Sequence, residues 1–339
     1  MSQFDRQMMN QLLSSQPLDR ETIRQLFGQF VRGEFDEIQA ASIVAAMKAR
    51  GEQAEELVGA AEGLLEAAVP FPGAPVNAID IVGTGGDGLN TLNISTLAAL
   101  TTAAIGIPVA KHGNRSITSL SGSFDLLQRL GLNLNASPEK ASELLKRVGI
   151  CFLFAPNYHG GLRHVGDLRR RMNARTIFNL LGPLVNPARP RATLLGVASN
   201  DLITTMSQSL VKLNCQSAAV VHGGGLDEVA PHAETRVVMI ESGKMRETTL
   251  RPEDFGFQSY RLDELTCDSV EETHRRAERI LVGEGSDAEN AAVAMNAGLA
   301  ASVFHGHGEL PDWSERALAA LRAGEVQRLV QRYRELDQQ

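Results

Sequence analysis

"IDIVGTGGDGLNTLNIST", residues 79–96, is the stretch on which the reading of the fold turns. It begins as an apolar strand, passes through four glycines and continues into a helix starting near Ile94, an order that leaves free backbone N–H groups and the positive end of a helix dipole facing one point. Gly83, Gly85 and Gly88 match the G-x-G-x-x-G spacing of a dinucleotide turn, and Gly83 with Gly88 matches the glycine half of a P-loop. Neither reading survives inspection. The P-loop needs Lys-Ser/Thr where Leu89-Asn90 stands, and the dinucleotide fold needs an acidic residue where the next strand ends in Lys111. The loop is therefore an anion cradle of another kind. Asp87 inside it would repel a phosphate unless a cation intervenes or the carboxylate accepts a ribose hydroxyl.

On either side the texture of the chain differs. Downstream, "AIDIV" (78–82), "IPVAK" (107–111), "ICFLFA" (150–155), "ATLLGVA" (192–198) and "AAVVHG" (218–223) are short apolar runs separated by segments long enough for crossover helices. This predicts an α/β domain with a mostly parallel central sheet. Residues 236–250 read as a hairpin turning at Ser242-Gly243, and the tail from Glu271 as amphipathic helices. Upstream, residues 1–69 read as helices only. Ile23, Leu26, Phe27, Phe30 and Val31 form a stripe at helical spacing between a cap at Asp19 and a stop at Gly33, and a further helix runs from about Asp36 to Arg50 and ends at Gly51. "PFPGAP", residues 70–75, breaks the pattern and marks a boundary and a hinge. The fold class expected is thus a small N-terminal helical domain plus a larger α/β domain covering 76–171 and 190–339.

In open α/β sheets ligands gather beyond the carboxyl ends of the strands, so the loops after the apolar runs carry the chemistry. "KHGNRSITSLSGS" (111–123) offers positive charge, many hydroxyls and two glycines, a composition suited to closing over a polyanion. "HGGGLDEV" (222–229) presents Asp227 and Glu228 after three glycines, hard oxygen ligands of the sort Mg²⁺ takes together with phosphate oxygens. Residues 157–187 carry five arginines and then the apolar "IFNLLGPLVNP", a place for a carboxylate partner beside a flat apolar wall. His159, His164, His222 and His232 have no metal-ligand spacing, and no zinc site is expected.

Together these loops resemble the anthranilate phosphoribosyltransferase family. "GTGGD" with "NIST", "KHGNR" with its Ser/Gly loop, "RTIFNLLGPLVNP" and "HGGGLDEV" stand in the family's order, and the resemblance runs from the N-terminal helices to about Gly298. It implies that the opening loop holds phosphoribosyl pyrophosphate (PRPP) through Gly83, Gly86, Asp87, Thr91, Asn93, Ile94, Ser95 and Thr96. Lys111, His112, Gly113, Asn114, Arg115, Ser116, Ile117, Thr118, Ser119 and Ser123 would close on it, Thr118 replacing a more usual serine. It further implies Mg²⁺ at Ser95, Asp227 and Glu228, and anthranilate at Gly83, Asn114 and Arg169. Arg169 is chosen over Arg170 and Arg171 by counting back from Arg175. Lys111 and Asp87 are the expected catalytic groups. The helical domain would be completed by residues from about 172 to 189 and form a homodimer face.

Two other functions share the expected fold. A pyrimidine-nucleoside phosphorylase would use free phosphate without Mg²⁺, against which the Asp227-Glu228 pair and the full "KHGNR" stretch argue. A non-catalytic nucleic-acid binder wants clustered excess cations, whereas the net charge is −7 with 43% hydrophobic and 22% charged residues. No apolar run approaches a membrane span, the start lacks a secretory pattern, and three scattered cysteines suit a reducing compartment, so a cytoplasmic enzyme without membrane or nucleic-acid partners is expected.

Overall fold

The structure, a computed structural model, describes residues 3–115 and 122–338. Its first four helices are α1 (Gln3–Leu13), α2 (Arg20–Arg32), α3 (Glu37–Arg50) and α4 (Ala54–Glu66). Asp19 caps α2 by accepting the Thr22 N–H at 3.0 Å, and Gly33 ends it at φ 69°. Asp36 and Gln39 cap α3 reciprocally and Gly51 closes it. Ile23, Leu26, Phe27 and Phe30 are buried and Val31 packs at the margin of the same cluster. A closer contact was not legible in that stripe. A Cβ on Gly59 would lie 2.3 Å from the Arg20 carbonyl oxygen and one on Gly63 2.5 Å from that of Arg24, so only glycines at this spacing let α4 meet the backbone of α2.

The larger body is built on a seven-stranded sheet ordered β3-β2-β1-β4-β5-β6-β7. Strands β1 (Ile79–Gly83), β2 (Val109–Gly113), β3 (Ile150–Phe154), β4 (Ala192–Gly196) and β5 (Ser217–Gly223) run parallel, while β6 (Thr235–Glu241) and β7 (Lys244–Leu250) add an antiparallel edge. The hairpin turns at Ser242 and Gly243, φ 48° and 79°, the two left-handed positions of a tight two-residue loop. Connecting helices are α5 (Ile94–Ala104), α6 (Ser123–Arg129), α7 (Pro138–Val148), α8 (Ala155–Tyr158), α9 (Gly166–Met172), α10 (Ile177–Leu181) and α11 (Leu202–Lys212), and the tail forms α12 (Val270–Leu281), α13 (Asp287–His305), α14 (Leu310–Arg322) and α15 (Glu325–Asp337).

Period-two alternation splits the sheet between two cores. Ala219 and Val221 of β5 join α5, α13 and the tail helices on one face, and Ala218 and Val220 join α11 and the N-terminal helices on the other. The helical lobe therefore shares one apolar cluster with the underside of the sheet. Residues 69–76 link the two, tied to the returning chain by Val69 N–H to Tyr158 C=O at 2.9 Å and Val76 N–H to Ala188 C=O at 3.1 Å. That returning chain meets the first helices earlier than residue 172. Leu162 of a 3-10 turn at Gly160–Val165, and Val165 and Leu168 beyond it, already lie in their cluster, because Gly161 leaves room for Val31 within 2.2 Å of where a Cβ would stand. Among the described residues no helix is long and apolar enough to cross a membrane.

Candidate active site

Strand order reverses at β1, which pairs with β2 on one side and β4 on the other, and a cavity of about 280 Å³ opens there between the strand ends and the returning segment of the helical lobe. Its floor is the glycine loop after β1. Gly85, Gly86 and Gly88 take φ of 63°, 75° and 77°, which residues with a Cβ adopt only under strain. Asp227 reaches this loop from beyond β5. Its carboxylate accepts the Gly85 N–H at 2.7 Å, and a Cβ on Gly83 would stand 2.2 Å from that carboxylate. Gly196, at the end of β4, is needed for the same approach, since its Cβ would fall 1.5 Å from the Asp227 carbonyl oxygen.

Asp87, Asp227 and Glu228 bring carboxylate oxygens within 4.8 Å of one another. Burial and the neighbouring Asp87 push Asp227 up to about 6, and burial with both aspartates pushes Glu228 well above the usual carboxylate range. Like charges this close are relieved by a proton or by a cation. The chain fits one: Glu228 Oε2 is buried without a hydrogen-bond partner, while the Ser95 N–H at the start of α5 points to the same carboxylate. Ser95, Asp227 and Glu228 are thus together, and Asp87 joins them from the loop.

Lys111 is placed underneath. It is 1% exposed, its Nζ donates to the Ile81 carbonyl at 2.5 Å, and Asp80, Glu228 and Asp227 hold up an ammonium pKa that burial pulls down. Asp80 is itself buried, pushed up to about 6, and held by the Asn186 amide at 2.8 Å. Lys111 therefore counters the acidic cluster from within the sheet.

His112 Nδ1 donates to the Gly182 carbonyl at 3.1 Å and His159 Nε2 to that of Val185 at 2.8 Å, with ring centroids 5.4 Å apart. Burial pushes His112 down to about 3 and His159 down as well, so both imidazoles are neutral. Gly83, Gly86, Thr91, Asn93, Gly113, Asn114, Arg115 and Ser123 also line the cavity. Ile94 and Thr96 do not. Both are fully buried in α5, and their N–H groups are taken by the Leu92 and Asn93 carbonyls, because the helix turns these two positions towards the core. Ser116, Ile117, Thr118 and Ser119 lie outside the described residues.

The opposite wall comes from α9 and α10. Arg169 lines the cavity with its guanidinium 5.5 Å from the centroid of the Phe178 ring, whereas Arg170 pairs with Asp167 and Arg171 with Glu37 on the exposed side. Three contributors were not named as site residues from sequence: His159, which sits in an unremarkable "HGG", and Phe178 and Arg175, which lie within "RTIFNLLGPLVNP" and of which Arg175 donates to the Gly86 carbonyl at 2.6 Å.

Residues 75–327 match the model of the glycosyl transferase family a/b domain and residues 6–68 that of its helical bundle domain. An anthranilate phosphoribosyltransferase of Vibrio cholerae is 47% identical over 96% of this chain and 97% of its own length, and one of Aeromonas salmonicida 45% identical over 98% of each. The chain belongs to the anthranilate phosphoribosyltransferase family. Among solved family members, the enzyme of Thermus thermophilus superposes with a TM-score of 0.90 at 37% identity, covering 98% of this chain and 99% of that one. The Saccharomyces cerevisiae enzyme in complex with PRPP and Mg gives 0.89 at 25% identity over 98% of each chain. The helical-plus-α/β architecture expected from the sequence is the family's.

Proposed function

We propose that this protein transfers the phosphoribosyl group of PRPP to the amine of anthranilate, giving N-(5-phosphoribosyl)anthranilate and pyrophosphate in tryptophan biosynthesis. One observation carries the reading: a three-carboxylate cation site on a glycine loop faces, across a single cavity, an arginine laid over an aromatic ring. The first suits a pyrophosphate ester and the second a flat aromatic carboxylate.

Ser95, Asp227 and Glu228 would hold Mg²⁺, with Asp87 beside it. The ion would supply neutralisation of charge on the departing pyrophosphate. The loop Gly83–Asp87 with Thr91 and Asn93 holds the donor, and Asn114 and Arg115 approach its other side. Arg169 binds the anthranilate carboxylate against Phe178, with Gly83 and Asn114 bordering the ring, and so aims the amine at C1 of the ribose. An aryl amine is uncharged at neutral pH, so no base is needed before attack. The neutral His112 and His159 add hydrogen-bonding capacity without competing positive charge, and Lys111 stabilises the ionised carboxylates from below.

Mixing purified protein with PRPP and anthranilate, with and without Mg²⁺, tests the proposal through loss of anthranilate fluorescence. A Mg²⁺-dependent decay supports it. No decay beside a working control enzyme overturns it, and nucleoside cleavage by free phosphate without Mg²⁺ would substitute the phosphorylase reading.

We further propose a homodimer, for which Leu13 and Ile38, 69% and 80% exposed on α1 and α3, offer an apolar face. Sedimentation at a monomer mass would overturn that. A cytoplasmic site of action accords with three unbridged thiols, Cys151, Cys215 and Cys267.

A further inference from the structure

The glycine loop that is to receive pyrophosphate carries a liability, because a chain folded this tightly also turns carbonyl oxygens towards its surroundings, and an uncompensated carbonyl beside a phosphate repels it. Two of these oxygens have a cationic partner from far along the chain. Arg175 Nη1 donates to the Gly86 carbonyl at 2.6 Å, and Nη2 reaches towards the Thr84 carbonyl at 3.4 Å. The fit is close: a Cβ on Gly86 would stand 1.8 Å from Arg175 Nη1, so the bare backbone at Gly86 and the guanidinium occupy one shared space. The other attachments of the loop include neutral contacts, among them the Ala198 N–H to the Thr84 hydroxyl at 3.1 Å, and the carboxylate of Asp227. The Thr84 N–H donates to the Gly196 carbonyl at 2.9 Å and the Gly85 N–H to Asp227 at 2.7 Å. Arg175 is therefore the one cation among the described residues that hydrogen-bonds the loop's own carbonyls.

Its position in the chain matters as much as its contact. Arg175 stands between Arg169 at the end of α9 and Phe178 in α10, the two residues of the opposite wall, and α10 packs into the cluster of the N-terminal helices. Only five residues, 170–174, separate Arg169 from Arg175, so the anchor of the glycine loop is close in chain to that wall.

We infer that Arg175 is a positioning residue for the donor loop: it neutralises the Thr84 and Gly86 carbonyls and holds the loop in its phosphate-accepting form. The inference rests on the transferase reading above. The contacts of Arg175 are to the Gly86 and Thr84 carbonyls, so its effect on the donor runs through the loop.

Steady-state kinetics of wild type, Arg175→Ala, Arg175→Lys, Gly86→Ala and the double variant Gly86→Ala/Arg175→Ala tests it, with Mg²⁺ saturating. Loss of one charge-assisted hydrogen bond predicts a KM for PRPP raised roughly tenfold or more in Arg175→Ala. The KM for anthranilate at saturating PRPP should stay within about twofold, the pattern of a residue acting through the donor loop alone. Arg175→Lys, which keeps the charge but not the fork, should fall between. Gly86→Ala should harm PRPP binding more in wild type than in the Arg175→Ala background, where the shared space has been emptied, giving a non-additive cycle.

Equal rises in both KM values, or an additive cycle, would overturn the inference and leave Arg175 a structural residue. So would an unchanged KM for PRPP. Should Arg175→Ala not fold, Arg175→Lys carries the same test on the same KM split. Wild-type protein lacking Mg²⁺-dependent transfer would instead refute the transferase reading, so the two failures are told apart by the control.

Discussion

Gly83→Ala puts a methyl group against the metal-binding carboxylate without altering any charge. The new Cβ would lie 2.2 Å from Asp227 Oδ2, and contacts under 3.0 Å are essentially unknown, so the oxygen must retreat by at least about 0.8 Å, from 2.2 to 3.0 Å. The same oxygen accepts the Gly85 N–H at 2.7 Å, a bond that does not survive such a shift. A hydrogen bond to a charged group is worth about 1.5–3 kcal/mol, which corresponds to roughly tenfold to a hundredfold in a binding or rate constant. Mg²⁺ tolerates little departure from octahedral geometry, so the loss should appear mainly as a raised metal requirement. Initial rates of anthranilate fluorescence loss, measured across a Mg²⁺ titration, read this directly. The expected result is a Mg²⁺ midpoint raised roughly tenfold or more, together with a lowered thermal midpoint of the metal-free protein, because the bond lost also holds the fold. A variant with the wild-type midpoint would refute the placement of Asp227 as a metal ligand held by Gly83.

Arg169→Ala should raise the KM for anthranilate roughly tenfold or more while that for PRPP stays close to wild type, and Arg170→Ala and Arg171→Ala should change neither, since both are exposed pairs; an effect at Arg170 or Arg171 larger than at Arg169 would displace the acceptor site. The pH dependence follows from Asp227, whose carboxyl is raised in the fold to about 6 from an ordinary 3.8. A raised pKa favours the protonated fold, so this group's stabilisation is complete below its unfolded pKa and is lost as pH rises through about 6. Metal-free protein should therefore gain thermal stability between pH 7 and 5 from this group, and the increment added by Mg²⁺ should shrink over the same interval; a Mg²⁺ increment that is constant with pH argues against protons competing at the site. Gly59→Ala, with its Cβ 2.3 Å from the Arg20 carbonyl oxygen, should separate α2 from α4 and cost about 1–3 kcal/mol in denaturant unfolding, whereas an unaffected midpoint would show that the helices adjust freely.

Much of this molecule is local information. Apolar runs of five to seven residues are strands wherever the chain can bury both their faces, and the five parallel strands and the hairpin stand within about two residues of where their runs predict. Asp19, Gly33, Asp36 and Gly51 act as helix caps because capping needs only neighbouring backbone. The chain order of four loops likewise carried the family and the fold class. Side-chain identity in sequence also pointed to Asp227 and Glu228 as hard ligands, without saying where they would stand.

Tertiary structure decided everything that depends on residues far apart in the chain meeting at a distance of one atom. Gly85 and Asp227 are 142 positions apart, and Arg175 and Gly86 are 89 apart, so no local pattern encodes either contact. Ile94 and Thr96 belong to a binding motif as letters, yet the rotation of α5 buries them, and Lys111 lies beneath the carboxylates because β2 points it into the sheet. Three adjacent arginines are equivalent in sequence and become distinct only when α9 docks with one face to the cavity and another to solvent. Periodicity and capping are set by the nearest few residues, whereas a site is set by the packing of elements, which sequence constrains only through the sum of all their contacts.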